Sequence, residues 1–438
     1  MTFDEARAYL LALPRYAKYG DAAYRPGLAR IAALTDAMGR PHEAFESVHV
    51  AGTNGKGSTA SMLAAVASAT GRRTGLHTSP HLFRLTERMR IDGAPAPDAW
   101  LADAVTRFRP VMDRLAPSFF EAVTALSFLY FAEAGVDLAV VEVGLGGRLD
   151  ATNVLRPRLC LITHIGHDHG AFLGETLPEI AREKAGIVKP GIPVLAGTDR
   201  PEARAVIHAT AEERGAPFHD VTEEVRLWDV RPAPGHTAFR ARTPAGTYED
   251  LRVGLPGAHQ ARNAALALRA AEVLFDARPD AAEAVRAGLG DVRKRSGLRG
   301  RLETLRTEPM IVADVAHNAE GLAAALAFLR AVRPPEGRLY VLFGVMRDKD
   351  LGRMAPLLVA AGATVFPARL DAERARPVAE LAAGLRAHGV AVAEAGSVAE
   401  GLARFRARAR PNDALLVTGS HLTVAALTAD ARLRSALE

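Results

Sequence analysis

Short apolar runs recur along this chain, and each leads into a loop and then a helix-period stretch. "SVHVAG", "LAVVEVG", "LCLITHIG" and "IPVLAG" do this in the first half; "MIVADVAHN", "RLYVLFGVM", "ATVFPA" and "DALLVTGS" do it after residue 300. That alternation implies a mostly parallel sheet covered by helices. With 438 residues, two or three domains are expected. The polar, basic, glycine-containing stretch "RKRSGLRGR" (293–301) reads as a linker. We therefore expect an α/β protein of two domains: residues 1–296, holding a phosphate loop, and 301–438, a Rossmann-like α/β domain. Residues from about 217 to 255 alternate polar and apolar between Pro/Gly turns and read as a small antiparallel annex in the first domain.

Composition narrows the class. The chain is 49% hydrophobic and 24% charged, an ordinary globular balance. No apolar run reaches membrane length, and "MTFDEARAYL" lacks the basic and apolar regions of a secretory signal. Cys160 is the single cysteine, so an intrachain disulfide is excluded, which suits the cytoplasm. The net charge is +5. Its arginines are dispersed, and the one tight basic run, "RARAR" (406–410), lacks interleaved aromatics, so a solvated helix face is expected and no nucleic acid or membrane partner. A positive balance suits anionic small-molecule substrates.

The chemistry-bearing stretch is "HVAGTNGKGSTASML" (49–63). The common phosphate-loop pattern places a glycine six before the lysine and a hydroxyl directly after it. Here Val50 is six before Lys56, and Gly57 precedes Ser58 and Thr59. The physical parts are still present. Gly52, Gly55 and Gly57 let the backbone turn its N–H groups inward; Thr53 and Asn54 complete the loop; Lys56 can reach phosphates; Ser58 or Thr59 can hold Mg²⁺. A plain glycine turn would need neither the lysine nor the paired hydroxyls. Glu142 ends a buried strand at the edge where ligands bind in open α/β sheets. After a phosphate loop it reads as an Mg²⁺ ligand rather than a helix cap.

G-T-N-G-K-x-[ST] resembles the loop of the Mur ligase superfamily, and G-T-N-G-K-G-S resembles the folylpolyglutamate synthase and dihydrofolate synthase family. The resemblance continues through "SPHL" (79–82), "ERMRIDG" (87–93), "FFEAVT" (119–124), "VEVGLGGRLDATN" (141–153) and "GHDHGAFLGETLPEIAREKAGIVKP" (166–190). It then runs through "GAHQARNAALAL" (257–268), "GRLE" (300–303), "DVAHN" (314–318) and "FGVMRDKD" (343–350). It implies ATP with Mg²⁺ or Mn²⁺, a first metal at Ser58 and Glu142, and a second at His169 and a carbamylated Lys184. It implies ATP contacts at Asn263 and Arg301, and nucleotide and glutamate contacts at Asp314, His317 and Asn318, so that residues of both domains would serve one site. His164 and His167 lie outside the family's pattern and are expected to be structural. Ala319 replaces a proline of the pattern, and the roles of Lys349 and Asp350 stay open. Without the resemblance, Lys184 reads as a surface lysine paired with Glu183 or Glu179.

The expected function is ATP-dependent addition of L-glutamate to dihydropteroate, to a reduced folate already bearing glutamate, or to both, through an acyl phosphate, by a monomer. Two other classes fit less well. "FFEAVT" and "GLGGRLDATN" argue against a Mur ligase of cell-wall precursors, and only the high pI suggests a nucleic-acid-stimulated ATPase.

Overall fold

The computed structural model describes residues 1–14, 27–168, 170–275 and 282–429. The chain divides into two compact units. The first comprises Met1–Val230, Phe239–Gly254 and Gln260–Leu298; the second comprises Arg231–Ala238, Leu255–His259 and Arg299–Glu438.

The first unit is built on an eight-stranded sheet. Its strands are β1 (Glu46–Ala51), β2 (Thr74–His77), β3 (Met89–Ile91), β4 (Ala94–Pro95), β5 (Leu138–Glu142), β6 (Leu159–Ile162), β7 (Val194–Ala196) and β8 (Phe218–Asp220). They lie in the order β4-β3-β2-β5-β1-β6-β7-β8. From β2 to β8 all pairings are parallel, and β3 and β4 form an antiparallel edge. From β1 the chain continues to β2 on one side of it, and from β6 to β7 on the other. The order therefore reverses between the neighbours β1 and β6, the place where open α/β sheets bind ligands.

The helix after β1, Lys56–Ala69, is buried at every residue from Gly57 to Ala67. Its run of Ala, Ser and Gly makes that possible, because small side chains let other backbones come close. At Gly288 of the helix Glu283–Gly290, an added Cβ would lie 2.5 Å from the Cα of Val66.

Two sequence expectations are revised here. The segment at 217–225 is not part of an antiparallel annex: β8 pairs in parallel with β7 at the edge of the main sheet. The annex is the three-stranded sheet of β9 (Arg226–Ala233), β10 (His236–Thr243) and β11 (Gly246–Val253), joined by the two-residue turns Pro234–Gly235 and Pro244–Ala245. A three-residue edge strand has too few side chains to display a period, so only its pairing reveals it. The basic stretch after residue 292 is likewise not wholly open. Val292–Ser296 is helical, with Val292 and Ser296 buried and the Ser296 hydroxyl donating to the Val292 carbonyl at 2.6 Å. The helix ends at Gly297, which is left-handed (φ 69°).

The second unit has a seven-stranded sheet. Its strands are β12 (Glu303–Thr307), β13 (Met310–Ala313), β14 (Leu339–Phe343), β15 (Thr364–Arg369), β16 (Ala391–Val392), β17 (Gly396–Ser397) and β18 (Ala414–Thr418). The order is β12-β13-β18-β14-β15-β16, with β17 also on β15. Only β12 runs antiparallel. Val312, Val341, Phe343 and Leu416 fill its core with Leu322 and Leu329 of the helix Ala319–Val332. Among the described residues no helix is long and apolar enough to cross a membrane.

Candidate active site

The loop after β1 is fixed to the loop after β6. The Thr53 amide donates to the His164 carbonyl at 2.8 Å, and the Thr163 hydroxyl donates to the Asn54 carbonyl at 2.8 Å. The Thr53 hydroxyl donates to Gly166 O and accepts from Gly166 N. Glycine is required at two points. Gly52 has φ 146°, and a Cβ there would lie 1.9 Å from the Thr163 hydroxyl. Gly55 has φ 89°, and a Cβ there would lie 2.4 Å from Asn263 Oδ1. The helix begins directly after Gly55, and among the described residues no side chain caps its N-terminus. The Lys56 ammonium donates to the carbonyls of Gly52 (3.0 Å) and Thr53 (3.1 Å), so it lies across its own loop.

Asn263 and Gln260, one turn apart on the helix Ala258–Phe275, back this loop. Asn263 donates to Gln260 Oε1 at 3.0 Å, and Gln260 Nε2 reaches the Ser58 hydroxyl at 3.4 Å. Asn263 was expected near the nucleotide loop; Gln260 was missed. Its signal was present: a glutamine three residues before Asn263 on one helix face. Thr163 was also missed, because a single threonine at a strand end carries no pattern. Thr59 is fully buried, and its hydroxyl has no hydrogen-bond partner among the described residues.

Glu142 closes β5 beside the loop: Val50 of β1 and Glu142 are register partners. The carboxylate is buried and accepts the Ser79 amide at 3.0 Å. Arg88, also buried, lies over the Phe119 ring, 5.2 Å from its centroid, and donates to His81 Nδ1 at 2.8 Å. Burial brings its guanidinium down to about 10, against the opposing pull of Glu142 and Glu87.

Lys184 contradicts the surface reading. It lies in the last turn of the helix Leu177–Ala185 and is 3% exposed. Neither partner that a surface lysine would use is available in that role. Glu179 caps its own helix through the Thr176 and Glu175 amides, and Glu183 is paired with Arg148 at 2.8 Å. Burial, and then the like charge of Lys56, lower the Lys184 pKa to about 7, with Asp168, Asp150 and Glu183 opposing. The loop after β5 packs against this helix end. A Cβ on Gly147 would lie 2.8 Å from the Glu183 carbonyl and 2.9 Å from that of Lys184. Asp150 holds the loop, accepting the Leu145 and Thr152 amides and the Thr152 hydroxyl. Because that hydroxyl's proton goes to Asp150, His49 must donate to Thr152 through Nε2.

The remaining histidines separate. His164 Nδ1 faces Asp199 Oδ1 at 3.4 Å, and His167 is exposed. His169 lies outside the described residues. No group of three His, Cys, Asp or Glu able to hold a metal occurs among the described residues. Cys160 is buried with its thiol toward the Ile187 carbonyl, and burial raises it to about 12.

In the second unit, Asp314 follows β13 and is buried. One oxygen accepts the Leu302 amide and the other the Ala316 amide, both at 2.8 Å. Burial raises its pKa, with Arg301 pulling the other way. Its carboxylate thus ties the "GRLE" entry to its own loop. His317 Nδ1 lies 3.1 Å from the Val315 carbonyl, and Asn318 caps the next helix. Asp350 also proves to be a cap, accepting from the Arg353 amide. Lys349 Nζ lies 3.6 Å from Asp348 Oδ2.

A glycine loop opening a helix without a side-chain cap where strand order reverses, followed by a second parallel-sheet unit, is a phosphate-loop α/β architecture. Comparison with known proteins agrees. Residues 50–271 match the Mur ligase middle domain and residues 300–421 the Mur ligase glutamate ligase domain. A dihydrofolate synthase/folylpolyglutamate synthase of Bacillus subtilis is 38% identical over 360 residues, 80% of this chain and 83% of the relative. A folylpolyglutamate synthase of Lacticaseibacillus casei is 37% identical over 375 residues, 84% and 85% of the two chains. Escherichia coli FolC in complex with DHPP and ADP superposes with a TM-score of 0.88 at 28% identity, covering 99% of both chains. Mycobacterium tuberculosis folylpolyglutamate synthase complexed with ADP gives 0.87 at 32% identity, covering 98% of both. The chain belongs to the folylpolyglutamate synthase/dihydrofolate synthase family of Mur ligases.

Proposed function

We propose that the protein uses ATP to join L-glutamate to dihydropteroate, to a folate already carrying glutamate, or to both. The observation that carries this reading is the lysine-bearing loop locked between β1 and β6, with Glu142 in register beside it. A free carboxylate is a poor electrophile, so it must be activated. Its oxygen attacks the γ-phosphorus, the bond to ADP breaks, and an acyl phosphate forms. The α-amine of glutamate then attacks the acyl carbon; the C–N bond forms, phosphate leaves and the amine loses a proton. Lys56 and the amides at the helix N-terminus hold the transferring phosphates.

The donor set suits magnesium: a hydroxyl at Ser58 and a buried carboxylate at Glu142 are hard oxygens, and magnesium sites commonly take few protein ligands beside substrate phosphates. Bound there, the ion would supply neutralisation of phosphate charge. Lys184 carries a carbamate in this reading. Its neutral amine adds to CO₂ and releases one proton, which turns a neutral buried group beside Lys56 into an anion that Lys56 attracts. His169, Arg301, Asp314 and His317 are assigned to metal, nucleotide and glutamate on the resemblance alone. We also propose that 1–296 and 301–438 fold as domains, and that the enzyme acts as a cytoplasmic monomer without nucleic acid. Proteolysis between them and light scattering with and without DNA test these points.

The decisive experiment is ADP release with L-glutamate and each acceptor in turn. ADP should require glutamate, ATP–Mg²⁺ and a pteroate-type acceptor together. Turnover with a UDP-linked acceptor and none with pterins would overturn the reading.

A further inference from the structure

The turn that presents the Ser79 amide to Glu142 is organised by a different carboxylate. Glu87 accepts the amides of Leu82 (2.8 Å), Phe83 (3.1 Å) and Arg84 (2.9 Å). Behind Glu87 stands Arg90 of β3, with Nη2 3.7 Å from its Oε2 and a side chain only 10% exposed. The turn after β3 is tied to β2 by Asp92, whose amide donates to the Thr74 carbonyl and whose side chain accepts the Thr74 amide.

The outer side of this hairpin rests on the last residues of the first unit. Gly93 has φ 84°, and a Cβ there would lie 2.7 Å from the Lys294 carbonyl and 2.9 Å from the Arg295 carbonyl. Gly297 has φ 69°, and a Cβ there would lie 2.8 Å from Arg90 Nε and 2.9 Å from the Gly93 carbonyl. Most of these neighbours are backbone, which cannot swing aside, so both positions admit only glycine. The segment is itself held, with the Leu298 amide on the Ser296 hydroxyl. The second unit resumes at Arg299.

We propose that Arg90, with Gly93 and Gly297 packed around it, is a positioning lock. It couples the segment Val292–Leu298, through Glu87 and the turn at 79–84, to the Glu142 carboxylate. The part concerning turnover rests on the role given above to Glu142; the mechanical part does not. The effect assigned to Arg90 passes through Glu87 and Ser79.

Hydrogen exchange and steady-state kinetics on the full-length protein test this. In Arg90→Met, the amides of Leu82, Phe83 and Arg84 should exchange at least roughly tenfold faster, while β14 stays protected as an internal reference. Displacement of Glu142 should lower kcat by about tenfold and leave the KM for ATP within about twofold. Arg90→Lys keeps the charge and should recover much of both losses. Gly93→Ala should reproduce the faster exchange at 82–84 although it leaves Arg90 in place. Unchanged exchange at 82–84 in both Arg90→Met and Gly93→Ala overturns the lock. Faster exchange with unchanged kcat overturns its role in turnover. The exchange arm needs no substrate, so it separates failure of the lock from failure of the ligase reading.

Discussion

Two helices of equal length begin in opposite ways. Lys56–Ala69 and Ala319–Val332 each have 14 residues and each follow a parallel strand and a short loop. The first opens after Gly55 in a left-handed conformation with no side-chain cap. The second opens after Asn318, whose side chain accepts the Gly321 amide at 2.9 Å. The loop before it is closed further by Asp314, which takes two backbone amides. A helix N-terminus has unsatisfied donors and partial positive charge, and something must answer them. In the second unit a side chain does. In the first unit no side chain among the described residues does, and in the function proposed above an anion fills that role, with Lys56 adding a full charge at the same place. The same local architecture thus leaves the helix N-terminus without a side-chain cap in one unit and capped by Asn318 in the other.

The largest effect should come from removing the cradle's charge. Lys56→Ala is expected to lower kcat/KM by roughly a thousandfold or more with the fold intact, read as ADP release. A similar substitution in the capped loop, Asn318→Ala, should not approach that figure.

Next is Lys184, which separates a carbamate from an ion pair. Lys184→Ala and Lys184→Arg should each lose roughly a hundred- to a thousandfold in turnover, while nucleotide binding through Lys56 survives. Arginine keeps the charge but cannot form the carbamate, so near-normal Lys184→Arg activity would remove the modification from the mechanism. A ¹³C resonance on the wild-type protein in labelled bicarbonate, absent from Lys184→Arg, is the direct readout.

Gln260→Leu should be milder. Ser58 would lose the donor that orients its hydroxyl, and the Mg²⁺ concentration for half-maximal rate should rise roughly tenfold. No change in that titration would mean Gln260 serves packing alone.

Asn318→Ala tests the capped side. It should cost about 1 kcal/mol of stability, seen as a small drop in the denaturant midpoint, with nucleotide affinity unchanged. A loss of nucleotide affinity comparable to Lys56→Ala would erase the contrast drawn between the two helices.

The smallest effect is pH-dependent. The folded pKa of Lys184, about 7, lies below the ordinary lysine value. The unfolded chain therefore binds more protons across the interval between them, and this group's contribution makes stability rise with pH there. Its burial penalty is fully present below the folded pKa and is relieved above it. In CO₂-free buffer, Lys184→Met should raise Tm by a few degrees at about pH 6 and by less at about pH 9. An equal shift at both would show that the lysine is not held against its charge.

Sequence patterns carried the strands that run into loops, the glycine spacing around Lys56 and the glutamate at the end of "LAVVE". These are local features, written in neighbouring residues with a period or a fixed offset. The parts that escaped join positions far apart in sequence. Gln260 reaches Ser58, and Thr163 excludes any side chain at Gly52. Asp314, assigned to nucleotide and glutamate by the resemblance, also joins the amides of Leu302 and Ala316, a tie that no local pattern announces. The annex boundary near residue 217 took in β8, because three residues show no period and only the pairing with β7 places them in the main sheet.

The chain alone determined that a parallel α/β protein would present a lysine and paired hydroxyls on a glycine turn, since backbone conformation, strand periodicity and helix initiation are settled within a few residues. Burial and charge environment were decided only by the tertiary structure. Lys184 reads as a surface lysine beside two glutamates; it becomes a buried amine with a lowered pKa only because the loop after β5 covers its helix end and Lys56 lies within electrostatic reach. Desolvation and Coulomb interaction depend on what packs around a group in space, and no local pattern encodes that.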